Sequence, residues 1–265
     1  MIYSVETMQD RPSTAIITGA GRGIGLTIAE TLGRAGARVM LVGRNLSSLR
    51  DAQSRLSEKG ISSEIFTGDV TSEPAVERLR SEVVTKLGHV DVLVNNAGSA
   101  VSLPFTKTDL NALNQMIQSN LTSTHLCMRA FLPGMVERNF GRIINVASIA
   151  GKIGFQYTSA YCAAKHAVVG LTRAVALEVA QKGITINAVC PGWVDTPMTD
   201  ETIRNIVSKT GRTAEEARGF LENQSPLHRL ISAEEVAAVV AFLVSPQASG
   251  INGQAINVCG GEVFS

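Results

Sequence analysis

A chain of 265 residues with a formal charge of +1 at pH 7 is long enough for one α/β domain with a sizeable core. That balance gives no reason to expect a nucleic-acid or acidic-membrane partner, and no apolar run approaches the ~20 residues of a membrane span. The four cysteines, Cys127, Cys162, Cys190 and Cys259, form no C-x-x-C pair, which argues against a zinc or disulfide framework and for small buried hydrophobes in a reducing compartment.

Residues 1–11 are polar, hold Glu6 and Asp10, and lack a charged-then-apolar leader pattern; they read as a loose lead-in to a cytoplasmic enzyme. Strand and helix signals then alternate. The apolar run 15–17 predicts a buried strand, and the amphipathic run 26–32 a helix. A second strand is expected over 38–42, a polar-faced helix over 46–59 closed by Gly60, and a third strand over 61–67. A helix over 74–87 has Pro74 in its first turn. The fourth strand, 90–94, precedes a long helix over 109–137. The fifth strand, 142–147, is followed by a second long helix over 158–181. The sixth strand, 184–189, is stopped by Pro191 and Gly192. Ser232 caps a helix over 232–244, with Glu235 three residues on as in a capping box, and 255–258 is a last strand. This alternation predicts one doubly wound Rossmann domain: a seven-stranded parallel sheet with helices on both faces. The polar segment 195–229, punctuated by Pro197, Gly211, Gly219 and Pro226, breaks the alternation. An insertion after the C-terminal end of a strand belongs to the ligand crevice of such sheets, so it reads as a partly helical substrate lid.

The stretch Thr18-Gly19-Ala20-Gly21-Arg22-Gly23-Ile24-Gly25 lies between the first strand and its helix. Glycines there let the backbone turn sharply and approach a ligand, and the helix start presents N–H donors and partial positive charge. A pyrophosphate fits that place. The second strand ends in Gly43-Arg44-Asn45 with no carboxylate to bond the ribose hydroxyls of NAD. Arg44, with Arg22 from the glycine turn, instead matches a 2′-phosphate, so NADP(H) is the expected cofactor.

Tyr161 and Lys165 stand four apart on a predicted helix and share a face. Ser148 sits just past the fifth strand, and Asn120 inside the helix before it. Reducing a ketone needs a hydride at carbon and a proton at oxygen. A phenol has pKa about 10, and a nearby ammonium is expected to lower it. A serine hydroxyl can polarise the carbonyl.

Taken together, T-G-x-x-x-G-x-G on Thr18, Gly19, Gly23 and Gly25, then Asn95-Asn96-Ala97-Gly98, Ser148, Tyr161, Lys165, Pro191 and Gly192 resemble the short-chain dehydrogenase/reductase family over about residues 12–261. The resemblance implies that Tyr161 is the general acid/base, that Lys165 also holds the nicotinamide ribose, that Ser148 orients the carbonyl, and that Asn120 anchors a water. It places Gly19, Gly23, Ile24 and Gly25 at the pyrophosphate, with Arg22, Arg44 and Asn45 at the adenosine 2′ side. Asp69 and Val70 would meet the adenine, and Asn95, Ala97 and Gly98 the adenosine ribose. Pro191, Gly192, Val194 and Thr196 would lie beside the nicotinamide. The stretches 184–198 and 255–261 look like bacterial β-ketoacyl-thioester reductases, including aromatic polyketide and acetoacetyl-CoA reductases. The expected substrate is therefore a 3-oxoacyl thioester on CoA or a carrier protein, with sugar, polyol and steroid alcohols as alternatives and a non-catalytic cofactor-binding scaffold as a distant one. Lys209, Arg212 and Arg218 of the lid read as solvated helix charges, with the phosphates of a carrier arm as the alternative partner, and the loop 99–106 is expected to line the pocket. The family implies a homotetramer, or a dimer, built through the two long helices and the C-terminal region.

Overall fold

The fold is organised on β1 (Thr14–Thr18), five consecutive buried residues, as a strand covered on both faces requires. In the computed structural model, which describes residues 13–264, β1 pairs in parallel with β2 (Arg38–Gly43) on one side and β4 (Val92–Asn95) on the other. The expected lead-in, 1–11, lies outside the described residues. Beyond β2 lies β3 (Ser63–Thr67); beyond β4 come β5 (Gly141–Val146), β6 (Ile184–Pro191) and β7 (Ala255–Val258). The order is β3-β2-β1-β4-β5-β6-β7, every pairing is parallel, and this is the predicted seven-stranded sheet.

Side chains alternate across each strand, so β1 feeds two cores. Ala15 and Ile17 face a layer formed by α1 (Gly23–Arg34), α2 (Leu46–Ser57) and α9 (Ala233–Val244), through Ile28, Leu49, Leu56 and Val240. Ile16 faces α3 (Glu73–Leu87), α5 (Ser123–Arg138) and α6 (Ser159–Val179), through Leu79, Phe131 and Ala176. The chain runs outward from β1 to β3 and then crosses back to β4, which opens a crevice at the C-terminal ends of β1 and β4. The glycine turn and the Asn95-to-Gly98 segment leave the sheet at that crevice.

The predicted helix over 109–137 is continuous over 110–138 but not uniform. It consists of α4 (Leu110–Met116), a π-helical turn at Ile117–Thr122, and α5. Within the wide turn the Asn120 side chain donates to the Met116 carbonyl at 3.0 Å, and the hydroxyls of Ser123 and Thr124 donate to the carbonyls of Ser119 and Asn120, each at 2.8 Å. A π turn of this length has no compositional mark of its own, so the sequence does not reveal it. In segment 195–229, α7 (Pro197–Thr210) ends at Gly211 with φ +73°, and α8 (Ala214–Glu222) opens on a Thr213/Glu216 capping box. Ile203, Ala217, Leu221 and Leu230 form a small core of their own there, packed on Trp193. The Ser232/Glu235 capping box is present at α9, and all four cysteines are free and buried. Among the described residues, no helix is long and apolar enough to cross a membrane.

Candidate active site

The glycine turn is fixed from the neighbouring strand. The Asn96 side chain donates to the carbonyls of Thr18 at 2.9 Å and Gly19 at 3.2 Å. The Thr18 hydroxyl accepts the backbone N–H groups of Asn96 and Ala97 at 3.0 and 2.9 Å. Gly19 has φ +65°, and a Cβ on Gly25 would come within 2.4 Å of the Gly19 carbonyl oxygen, so neither position admits a side chain without movement. Arg22 precedes α1 without a side-chain cap, and the first turn of α1 holds no acid. Its N–H groups and positive end are therefore directed at the crevice, as an anionic pyrophosphate requires. The sequence reading uses Asn95 and passes over Asn96 and Thr18 as structural residues, although both lie in the motifs it rests on.

Arg44 is exposed just past β2, in a place free of a neighbouring carboxylate in sequence. Asn45 caps α2, accepting the Ser48 N–H at 3.0 Å, and Asp69 closes a turn by accepting the Thr71 N–H and hydroxyl at 2.9 and 2.8 Å. Val70 is buried beside it. Arg22 reaches across to Glu201 on α7 at 3.4 Å. Val194 is buried and bridges to Ile231, while Thr196 lies over Gly23, 3.5 Å from where a Cβ would stand. Pro191 ends β6, and Gly192 packs against Cys259 and the Glu262 carboxylate.

The Asn95 side chain does not reach the crevice. It is 3 % exposed and donates to Asn145 at 2.9 Å; Asn145 donates in turn to Thr172 at 2.9 Å. This buried chain ties β4, β5 and α6 together, so any ribose contact by Asn95 must come through its backbone. A strand-end asparagine looks the same in sequence whether it faces ligand or interior.

The catalytic candidates converge. Tyr161 and Lys165 lie in the first turns of α6, and Ser148 follows β5 with extended backbone, its hydroxyl accepting the Ala150 N–H at 3.1 Å. Ser148 also lies close enough to the Tyr161 phenol to favour its ionised form. Lys165 is 5 % exposed, donates to the Val146 carbonyl at 2.8 Å, and holds its Nζ 5.7 Å from the Tyr161 ring centre. Asn120 is buried, and the π turn aims it inward. Its amide N–H groups go to Ser99, Met116 and Ser119, while its Oδ1 is a buried acceptor with no partner among the described residues. A Cβ on Gly98 would stand 2.5 Å from that oxygen and 3.7 Å from Lys165 Nζ. Gly98 thus keeps open the space that joins them, polar and of the kind a water fills.

Burial pushes the Tyr161 phenol up to about 12, with Ser148 opposing and the Cys162 and Cys190 thiols reinforcing. Burial pushes Lys165 down to about 8, with Cys190 opposing. The expected lowering of the phenol by the ammonium is therefore not what the protein alone displays. Both groups are desolvated, and desolvation disfavours the phenolate more than its neighbours favour it.

The three lid cations, read as solvated charges or as partners of a carrier arm, have partners within the protein. Lys209 donates to the Ser102 carbonyl at 3.3 Å, which joins α7 to the loop 99–106. Arg212 lies over the Phe220 ring at 5.4 Å. Arg218 pairs with Asp195 and Glu222, each at 2.9 Å. Helix spacing accounts for Arg218 with Glu222, four residues apart; the other partners are brought together by packing.

A family model described as enoyl-(acyl carrier protein) reductase matches residues 19–262. A candidate ketoacyl reductase of Streptomyces coelicolor is 41% identical over 93% of this chain and 95% of its own length. The 3-oxoacyl-[acyl-carrier-protein] reductase FabG of Vibrio cholerae is 36% identical over 93% of this chain and 96% of its own. Among solved structures, a single-substitution variant of the actinorhodin polyketide ketoreductase with NADPH superposes with a TM-score of 0.92 at 41% identity, covering 94% of this chain and 97% of that one. With those matches, the glycine turn and the Ser148–Tyr161–Lys165 cluster on one parallel sheet, the chain belongs to the short-chain dehydrogenase/reductase family.

Proposed function

We propose that this protein is an NADP(H)-dependent ketoreductase that interconverts a ketone and a secondary alcohol, acting on a 3-oxoacyl thioester of CoA or a carrier protein, or on a similar β-keto substrate. The observation that carries the reading is the adjacency of Ser148 and Tyr161, backed by Lys165, at the crevice that also holds the glycine turn. The ketoacyl reductases among its relatives support the substrate class, and the NADPH of the actinorhodin enzyme supports the cofactor.

Bound cofactor supplies the hydride and, when oxidised, a positive charge near the phenol. The chain supplies everything else. Ser148 donates to the carbonyl oxygen and fixes its position. Tyr161 holds its proton across neutral pH and delivers it to that oxygen; its raised pKa suits it to the acid role in reduction. Lys165 and the unpaired Asn120 oxygen frame the polar space through which the proton is replaced. Gly19, Gly23, Ile24 and Gly25 receive the pyrophosphate; Arg44 and Arg22 the 2′-phosphate. Asp69 and Val70 lie toward the adenine, Ala97 and Gly98 toward the ribose, and Pro191, Gly192, Val194 and Thr196 toward the nicotinamide. The segment 195–229 acts as the substrate lid. The same reading includes a cytoplasmic homotetramer; Leu177 on α6 and Phe264 at the C-terminal end, 82% and 92% exposed, support contacts there.

The test is nicotinamide oxidation with NADPH and with NADH against acetoacetyl-CoA, crotonyl-CoA, a ketose and a steroid ketone. Acetoacetyl-CoA with NADPH is expected to turn over fastest. Faster reaction of crotonyl-CoA would move the chemistry to a carbon–carbon double bond, and faster reaction of the ketose or steroid would move the substrate class. Tight NADPH binding with no turnover in any arm would leave only the scaffold.

A further inference from the structure

We infer that Glu201 is an internal competitor for the 2′-phosphate site, held on Arg22 and set there by the α7 helix. The inference rests on the reading of Arg22 as a 2′-phosphate ligand. Two contacts join the glycine turn to the start of α7. Thr196 packs over Gly23, with a Cβ there only 3.5 Å from the threonine side chain, and the Arg22 guanidinium meets the Glu201 carboxylate at 3.4 Å. Glu201 lies in the first turns of α7, so the Thr196–Gly23 packing fixes its reach toward the turn.

The consequence is electrostatic. A guanidinium is a good ligand for a phosphate or a carboxylate, and one fork cannot serve both at full strength. Arg22 meets Glu201 through one nitrogen, Nη2, at 3.4 Å. A 2′-phosphate arriving at Arg22 must displace that carboxylate and then sits near its negative charge. NADH, with no 2′-phosphate, makes no such demand. Glu201 therefore lowers affinity for NADPH and leaves NADH untouched. It moderates cofactor selectivity from the lid side, while Arg44 supports it from the sheet side. Linkage is reciprocal: a 2′-phosphate that draws Arg22 away also releases one of the ties between α7 and the turn. Both side chains are more than half exposed, so the tie is weak and easily exchanged.

The experiment is calorimetric titration of the full chain with NADPH and NADH, for wild type, Glu201→Gln, Arg22→Ala and the double variant, at low salt. Glutamine keeps the size and removes the charge. Glu201→Gln is expected to tighten NADPH about two- to fivefold, the range of an exposed ion pair, with NADH unchanged. Arg22→Ala should weaken NADPH, and in that background the effect of Glu201→Gln should shrink because its partner is gone. If Arg22→Ala weakens NADPH while Glu201→Gln leaves it unchanged or weaker, Glu201 is no competitor and the NADP(H) reading survives. If Glu201→Gln tightens NADH as much as NADPH, the carboxylate acts on the shared pyrophosphate and the inference is overturned. If Arg22→Ala does not weaken NADPH at all, Arg22 is no phosphate ligand, and the inference falls with that part of the reading.

Discussion

The framework around Lys165 and the α7–α8 segment are held by different means. Around Lys165 the ties are buried and come from several elements: β5 through the Val146 carbonyl, the π turn through Asn120, and β4 through the Asn95–Asn145–Thr172 chain. Each has little water to compete with, so each has essentially one arrangement. In α7–α8 the ties are a four-residue core and exposed pairs: Arg218 with Asp195, Arg22 with Glu201, Lys209 with the Ser102 carbonyl. Such pairs contribute about 0–1 kcal/mol each. Proton chemistry tolerates little misplacement and sits on the first kind of structure. A proposed lid, which must admit substrate, is built from the second kind, at the low end of local stability.

The largest test of that contrast is chemical. Tyr161→Phe keeps the ring and deletes the proton carrier, so kcat/KM should fall by roughly 10²–10⁴ with NADPH affinity unchanged in titration. Retention of more than about a tenth of activity would remove Tyr161 from its role.

The same truncation placed in each region tests the energetics. Leu93→Ala, fully buried in β4, should cost about 2–5 kcal/mol in denaturant unfolding. Leu221→Ala, almost as buried but in the α8 core, should cost less globally, because that segment opens locally. It should raise KM for a long-chain ketone and change the fluorescence of Trp193, the one tryptophan of the chain. Equal losses of global stability would mean that the two regions unfold as one.

Lys165 gives a pH signature. Its pKa is lowered from 10.5 to about 8, so between those values the unfolded chain binds more protons than the folded one, and stability from this group rises with pH. Against Lys165→Met, which has nothing to titrate there, wild type should gain at most roughly 3 kcal/mol across that window. Parallel curves in urea unfolding would show that Lys165 is not desolvated.

Arg44→Ala carries the smallest effect, outside both regions. Loss of a charge-assisted phosphate contact should weaken NADPH about ten- to a hundredfold and leave NADH nearly unchanged. A ratio of the two affinities that does not move would exclude Arg44 from the phosphate site.

The sequence by itself determined the parallel sheet, the place of the glycine turn and the shared face of Tyr161 and Lys165, while Ser148 joined them through the family resemblance. Those features rest on local signals: apolar runs between turns, glycines where a Cβ collides, and a four-residue spacing on one helix face. Tertiary structure alone decided the rest. The π turn that holds the buried Asn120 has no mark in the local sequence. Asn95 turned inward because Asn145, fifty residues later, offered an acceptor, while Asn96 beside it became the clamp on the turn. The pairing of Arg22 with Glu201, 179 residues away, exists only once α7 lies across the crevice. A charge, an asparagine or a helix period has the same local chemistry wherever the chain places it, and its partner is fixed only by the packing that brings distant segments together.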